Sequence, residues 1–369
     1  MSCRAEFVQL ASQPESNIRE LCRRFEISPK TAYKWLARYR QQGPSGLQDR
    51  SRQPLHSPRR SSAELEARVL ALHARYPCWG ARKLYALLEP DPERPHPSTI
   101  DAILRRHGCR LLGASGQQAA RQRFEHEAPN QLWQMDFKGH FLLSDARAGR
   151  CHPLTLIDDH SRYLLCLKAC AYQTIGAVQP LLADVFRRYG LPERISADNG
   201  PPWGSRYPGS LTELEVWFMR LGIRLSHSRP LHPQTQGKLE RLHRTLKREL
   251  LSYQSFSSLA SCQSQMDRWR QQYNQIRPHQ ALDWSPPIAR YRPSARSFPE
   301  HLPTIEYEPQ DHILKVTSKG QVRYHRHDWY ISHALAGLPV ALRPTPKDGL
   351  WDVIFIQRYI CSINLHTPQ

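Results

Sequence analysis

No stretch of this sequence is long and apolar enough to cross a bilayer, which would take a run of roughly 18 residues, and the N-terminus lacks the apolar segment of a secretory signal. The expected location is therefore the cytoplasm. The nine cysteines are odd in number and scattered, with no CxxC pair and no Cys/His spacing suited to zinc, so neither a disulfide framework nor a structural zinc site is expected. No GxxxxGKS/T loop occurs, so no nucleotide cofactor is expected. Acidic residues are scarce relative to basic ones: 33 Asp and Glu stand against 52 Lys and Arg, a formal net charge of +19. That field concentrates polyanions. The basic residues recur within several amphipathic stretches and a linker, interleaved with enough apolar residues for real cores. Nucleic acid is thus the leading partner, the plainer alternative being a basic protein of the ribosomal or membrane-surface kind.

At 369 residues the chain has room for two or three domains. Near the start, Ile18, Leu21, Cys22 and Phe25 recur at i, i+3, i+4 and i+7, the spacing of one helix face. Ser28-Pro29 then opens a second helix: the hydroxyl caps it, and proline sits where no amide hydrogen is needed. This helix turns Ala32, Trp35, Leu36 and Tyr39 inward and leaves a basic outer stripe of Lys30, Lys34 and Arg38, with Thr31 and Tyr33 beside it. The arrangement is that of a helix-turn-helix whose second helix enters the major groove; its plainer reading is a helical hairpin with a solvated basic face. Residues 42–62, rich in Pro, Ser and Arg, read as an extended linker in which Arg50, Arg52, Arg59 and Arg60 could follow phosphates. Leu65, Val69 and Leu72, then Trp79, Leu84, Leu87 and Leu88, then Ile100, Ile103 and Leu104 behind a Ser98-Thr99 cap, mark a second helical module at 63–109. A connector spans 110–130.

From 131 the pattern changes. QLWQMDFKGHFLL, HPLTLIDD and RYLLCLKAC read as a three-strand meander, followed by alternating helix (174–189), strand (192–197), helix (211–221) and strand (223–225). That order implies a mixed α/β sheet. Leu239, Leu242, Leu246 and Leu250 mark a long helix; Leu259, Met266, Trp269 and Tyr273 mark the next, closing a unit at about 298. Alternation in 299–369, as in Trp351, Val353 and Phe355, suggests a small all-β module.

Three carboxylates stand out. Asp136 lies within a strand, on the face opposite Trp133, Met135 and Phe137; Asp198 follows the strand ERISA; Glu240 sits in the first turns of a helix. Singly each has a plain reading: an exposed strand Asp, the turn former of Asp-Asn-Gly, and an i,i+4 partner of Arg244. Lys238, Arg241, Arg244, Lys247 and Arg248 surround Glu240 and could bind phosphates, or form a solvated face. Asn199 and His232 flank the acids, with DNA positioning and local loop bonding both open. Asp158-Asp159 reads as a hairpin turn rather than a second acid pair.

In this order and with these flanks the three signals reinforce one another. WQMDFKG, SADNGPPW, and HPQTQGKLERLHRTLKREL followed by YNQIRPHQAL resemble the integrase core of bacterial insertion-sequence transposases, within the DDE superfamily that includes retroviral-type integrases. The N-terminal LCRRFEISPKTAYKWLARYR and YPCWGARKLYALL are similar to the tandem DNA-binding helices of that family, and the C-terminal part resembles a small barrel that follows the core in its members. The resemblance implies a multidomain protein: helix-turn-helix modules at 1–41 and 63–109, an RNase H-like α/β core at 131–298, and a β-barrel-like domain at 299–369. It also implies catalytic, metal-binding acids at the positions of Asp136, Asp198 and Glu240. Their separations are 62 and 42 residues (198 − 136 and 240 − 198). The second is longer than is usual in relatives, the surplus falling in PPWGSRYPGSLT, and Gln236 stands where relatives often have Asn. Two Mg²⁺ or Mn²⁺ ions are implied as cofactors, because carboxylate oxygens select hard cations. The implied substrates are double-stranded element ends (terminal inverted repeats) and target DNA, cleaved and then joined by strand transfer. One active site per end implies a homodimer or larger assembly. A DNA-binding regulator that has lost catalysis and a structure-selective nuclease are the rival readings.

Overall fold

The computed structural model describes residues 2–49, 60–88, 94–109, 125–204, 210–227 and 237–366. The chain divides into two compact units, Met1–Ala63 and Glu64–Gln369.

In the first unit α1 (Cys3–Ala11), α2 (Ile18–Arg24) and α3 (Pro29–Gln42) enclose Phe7, Val8, Cys22, Ala32 and Leu36. The Ser28 side chain accepts from the Thr31 N–H at 3.2 Å with Pro29 at the first helical position, as the sequence predicts. The α1 helix was not foreseen: its core contribution rests on Phe7 and Val8, too few residues to set a period. Phe7 meets Phe25 and Trp35 edge-on, with ring centroids 5.5 and 5.8 Å apart. Two expectations are corrected. Tyr39 is 39% exposed rather than inward, because it lies at the rim of the stripe where Trp35 is itself only half-buried. Gly43–Leu47 is not extended linker but a 3-10 turn that buries Leu47 in the core; the turn runs so close to α3 that a side chain at Gly46 would collide with the Arg38 carbonyl.

The second unit starts with α4 (Ala63–Arg75), α5 (Ala81–Leu87) and α6 (Pro97–Arg106) around Val69, Trp79, Leu84, Ile100 and Ile103. The cap of α6 is His96, whose ring nitrogen accepts from the Ser98 N–H (3.3 Å), so the helix starts ahead of the expected Ser98-Thr99. Ile276 packs against this helical module, and Cys78 Sγ donates to the Arg248 carbonyl at 3.5 Å. Lys83 is lowered to about 7, first by burial and then by the Arg277 charge, with Glu249 opposing.

The central sheet comprises β1 (Trp133–Phe137), β2 (Phe141–Leu142), β3 (Arg150–Asp158), β4 (Leu164–Cys170), β5 (Arg194–Ala197) and β6 (Arg224–His227). The expected first strand is broken in two at Gly139, which takes φ +82°. β3 pairs antiparallel with β1, β2 and β4, whereas β1–β5 and β5–β6 are parallel, the mixed sheet expected. One face packs on α7 (Ile175–Tyr189) and α8 (Glu213–Arg220) through Trp133, Met135, Leu154, Leu156, Phe186 and Phe218. The other packs on α9 (Gly237–Leu246) and α10 (Leu259–Gln275) through Ile157, Leu167, Leu242, Leu246 and Met266. After α9 the helix widens into one π turn at Lys247–Leu251. Amide side chains of α10 satisfy the open edge of β4: Asn274 accepts from the Leu164 N–H (2.8 Å) and donates to its carbonyl (3.0 Å), and Gln263 does the same at Ala169 and Leu167 (2.8 and 3.1 Å). An unpaired edge is thereby closed.

Beyond residue 300, β7 (His312–Lys315), β10 (Pro339–Pro344), β11 (Leu350–Phe355) and β12 (Arg358–Asn364) form an antiparallel sheet in the order β12-β11-β10-β7, and β8 (Gln321–Tyr324) and β9 (His327–Tyr330) form a hairpin. Their shared core of Val322, Leu335, Val353 and Phe355 takes in Val216 from α8, and Arg358 pairs with Glu215 at 2.8 Å. No helix among the described residues is long and apolar enough to cross a membrane.

Candidate active site

Strand alternation sends Trp133, Met135 and Phe137 into the layer of α7 and α8 and leaves Gln134 and Asp136 facing α9. β5 runs parallel to β1 with Ser196 beside Gln134; two residues further in the same register, Asp136 comes level with Asp198, just past the end of β5. Ile195 and Ala197 lie in the same apolar layer as Trp133, so Asp198 falls on the face of Asp136. This is the carboxyl end of parallel strands, where open α/β sheets bind ligands. Helix α9 crosses the face on its stripe of Leu239, Leu242 and Leu246, with Glu240 exposed in its first turn.

The electrostatics tie the three together. The Asp136 carboxyl is pushed up from 3.8 to about 6, first by burial and then by the negative charge of Asp198; Glu240 adds to this, against the pull of the Phe137 N–H and Lys138. Asp198 itself is exposed: its Oδ1 accepts from the Gly200 N–H at 3.0 Å and its carbonyl accepts from His227 Nδ1 at 2.8 Å. Among the described residues no three Asp, Glu, His or Cys side chains converge closely enough to grip a metal ion as they stand. The oxygen-only donor set and its mutual repulsion nevertheless fit a hard divalent cation, whose charge would reverse the penalty on Asp136.

His243, which the sequence reading passed over, braces this arrangement. It lies three residues after Glu240, on the same helix face. Thr155, the cross-strand partner of Asp136, spends its hydroxyl proton on the Asp136 carbonyl (2.8 Å), so His243 Nε2 must donate to Thr155 Oγ1 (2.7 Å). That tautomer leaves Nδ1 as a bare acceptor 4.0 Å from Asp136 Oδ2. Burial, with Lys138 adding, holds His243 down at about 3, so it is neutral at pH 7 and the contact is not an ion pair.

Asp158 and Asp159 do form the β3–β4 turn, but they are buried rather than solvated. Asp158 accepts from the N–H groups of Asn130 and Ser161, both at 2.8 Å. Asp159 accepts from Gln134 Nε2 (2.8 Å), from the His126 N–H (3.0 Å) and from the Lys238 ammonium. Lys238 is therefore engaged by an internal carboxylate and only 16% exposed, unlike the outward phosphate ligand the sequence suggested. Arg241 and Arg244 are exposed on α9; on α3, Lys30, Tyr33 and Lys34 are exposed, while Thr31 and Arg38 are half-buried. Arg50, Arg52, Arg59, His232 and Gln236 lie outside the described residues.

Comparison with known proteins matches these parts one by one. Residues 126–233 and 221–287 each match a family model described as an integrase core domain, residues 4–54 a helix-turn-helix domain, and residues 31–104 a homeodomain-like domain. An uncharacterized 39.2 kDa protein of insertion element IS476 from Xanthomonas euvesicatoria is 30% identical over 250 residues, 64% of this chain and 67% of that protein. An uncharacterized 31.7 kDa protein of insertion element IS407 from Burkholderia multivorans is 27% identical over 255 residues, 66% of this chain and 89% of that protein. A chain of the simian T-cell lymphotropic virus intasome, solved in complex with PP2A regulatory subunit B56 gamma, is a looser likeness: 19% identical, covering 79% of this chain and 99% of that one, with a TM-score of 0.39. With helix-turn-helix modules ahead of an integrase core and insertion-element proteins as its relatives, the chain belongs to the insertion-element transposase family.

Proposed function

We propose that this chain binds the terminal inverted repeats of its element, hydrolyses one phosphodiester at each end and joins the freed 3′-OH to target DNA, with Asp136, Asp198 and Glu240 as the catalytic acids. The observation that carries this reading is the Asp136 carboxyl, held near 6 by burial and by the charges of Asp198 and Glu240. Acids from a strand, a strand end and a helix thus share one field at the ligand-binding end of the sheet.

In the first step water attacks phosphorus, the P–O3′ bond breaks and the 3′-oxygen takes up a proton. In the second the 3′-OH attacks a target phosphorus and displaces another 3′-oxygen, so one phosphodiester is exchanged for another and no nucleotide is consumed. The three acids would hold two Mg²⁺ or Mn²⁺ ions, which when bound supply positive charge to the phosphoryl oxygens and acidify the attacking water. The protein's own share is placement. Thr155 and His243 fix the strand of Asp136 against the helix of Glu240, the Asx turn at Gly200 orients Asp198, and Arg241 and Arg244 attract the phosphates of the strand being cut. Lys30, Thr31, Tyr33, Lys34 and Arg38 on α3 read the element end through the major groove, and two or more protomers assemble so that each end has its own site.

The test is divalent-metal-dependent strand transfer on DNA carrying the element's ends, comparing wild type with Asp198→Asn and Glu240→Gln. Joined products from wild type alone, with DNA binding retained in all three, support the reading. Binding without cleavage by folded wild type points to a regulator; cleavage without joining points to a nuclease.

A further inference from the structure

One buried carboxylate has no part in the chemistry above, yet it joins the two elements that carry Asp136 and Glu240. Asp159 is 3% exposed. On one side its Oδ1 accepts from Gln134 Nε2 at 2.8 Å, and Gln134 is two residues before Asp136 on the same face of β1. The Asp159 N–H extends this tie by donating to the Leu132 carbonyl at 2.9 Å. On the other side Oδ2 meets the ammonium of Lys238, two residues before Glu240 in the first turn of α9, and that ammonium also donates to the Asp159 carbonyl at 3.0 Å. Oδ2 further accepts from the backbone N–H of His126 (3.0 Å), with His126 Nδ1 at 3.1 Å. The start of a helix has few backbone bonds to hold it, so a charge-assisted contact in a dry site strongly determines where that turn sits.

We propose that Asp159 is a positioning residue: by binding Gln134 and Lys238 at once it sets the first turn of α9 against β1, so that Glu240 is presented to Asp136, and it keeps the Lys238 ammonium off those two acids. The inference rests on the reading of Asp136, Asp198 and Glu240 as the metal-binding acids. Without the Asp159 charge the Lys238 ammonium is released, and in the field of the site's acids it competes with a divalent cation.

The experiment uses the full chain, with Mn²⁺ titrated calorimetrically in the absence of DNA and backbone amide exchange followed by mass spectrometry. In Asp159→Asn, Mn²⁺ binding weakens about ten-fold or more, in the range usual for residues that orient metal ligands. Exchange across 237–243 rises while that of α7 is unchanged. The double variant Asp159→Asn/Lys238→Gln, which removes the freed ammonium but not the loss of the pin, regains only the part of the Mn²⁺ affinity lost to competition while exchange across 237–243 stays high, a split that a merely structural role would not give. Unchanged protection across 237–243 together with wild-type Mn²⁺ affinity in Asp159→Asn overturns the proposal, and a double variant no better than the single overturns the part of it in which the ammonium competes with the cation. Should Asp159→Asn not fold, Lys238→Met carries the test: unchanged protection of 237–243 in that variant overturns the pin. If wild type and Glu240→Gln titrate alike with Mn²⁺, the reading of the acids fails, and the exchange data decide the pin separately.

Discussion

Asp136→Asn should make the apoprotein more stable at neutral pH, the opposite of what most polar-to-amide changes in a half-buried site do. The carboxyl is raised from 3.8 to about 6 by burial and by neighbouring negative charge. The native state therefore holds its proton more tightly than the unfolded chain does. The ionisation penalty is absent below about pH 3.8, grows as pH rises between the two values, and is complete above about 6. The gap corresponds to roughly 3 kcal/mol at about 1.36 kcal/mol per pH unit. With the side chain 27% exposed, solvent screening brings this to about 1.5 kcal/mol. Asparagine keeps the shape and an oxygen for the Phe137 N–H but carries no charge. In EDTA the variant should melt about 3 °C above wild type at pH 7.5, the two curves converging by about pH 4. Excess Mn²⁺ should reverse the order, because only wild type retains the charge that binds it. A variant that melts at or below wild type at pH 7.5, or a difference independent of pH, would refute the account of what perturbs Asp136.

Further outcomes follow from other parts of the fold. Gly204→Ala places a methyl group into the Asn199 carbonyl, so the loop after Asp198 must move; strand cleavage should fall by about ten-fold or more, in keeping with the cost of misplacing a reacting group, while the melting temperature of the chain stays within a few degrees. Lys83, lowered to about 7 by burial, imposes its full penalty below pH 7, and the penalty is lifted as pH rises toward its ordinary 10.5. Lys83→Met should therefore raise the melting temperature at pH 6 and have little effect at pH 10, as a calorimetric pH series would show. Ser28→Ala removes the acceptor for the Thr31 N–H and should destabilise the first unit by about 1 kcal/mol, read by urea denaturation of the variant followed through Trp35 fluorescence.

Periodicity and local chemistry carried much of this protein in its sequence. The Ser28-Pro29 start of α3, the leucine stripe of α9 and the alternation around Asp136 all depend on neighbours within a few residues. What stayed hidden depends on partners far along the chain. Asp158 and Asp159 have the composition of a solvated turn, and only Asn130, Gln134 and Lys238, brought in from elsewhere, make that turn a buried knot. Lys238 looked like one cation among five because nothing local distinguishes it from Arg241. Asn274 and Gln263 resemble ordinary helix-surface amides until β4 lies beside them. His243 was within reach: helical spacing from Glu240 places it on the acid's face, where a histidine among leucines and arginines has few other tasks.

Helix α8 is apolar on two sides: Leu214 and Phe218 enter the sheet's core, and Val216 belongs to the β module. During synthesis the first side can be covered once β6 has emerged, whereas the second must wait until residues 312–364 have left the ribosome. A message cut short between Glu240 and residue 312 would release a chain with all three acids encoded but a greasy helix face uncovered. The β module thus completes the cover of α8, and chains that end before it should aggregate on refolding, as light scattering would show, where the full chain stays monodisperse.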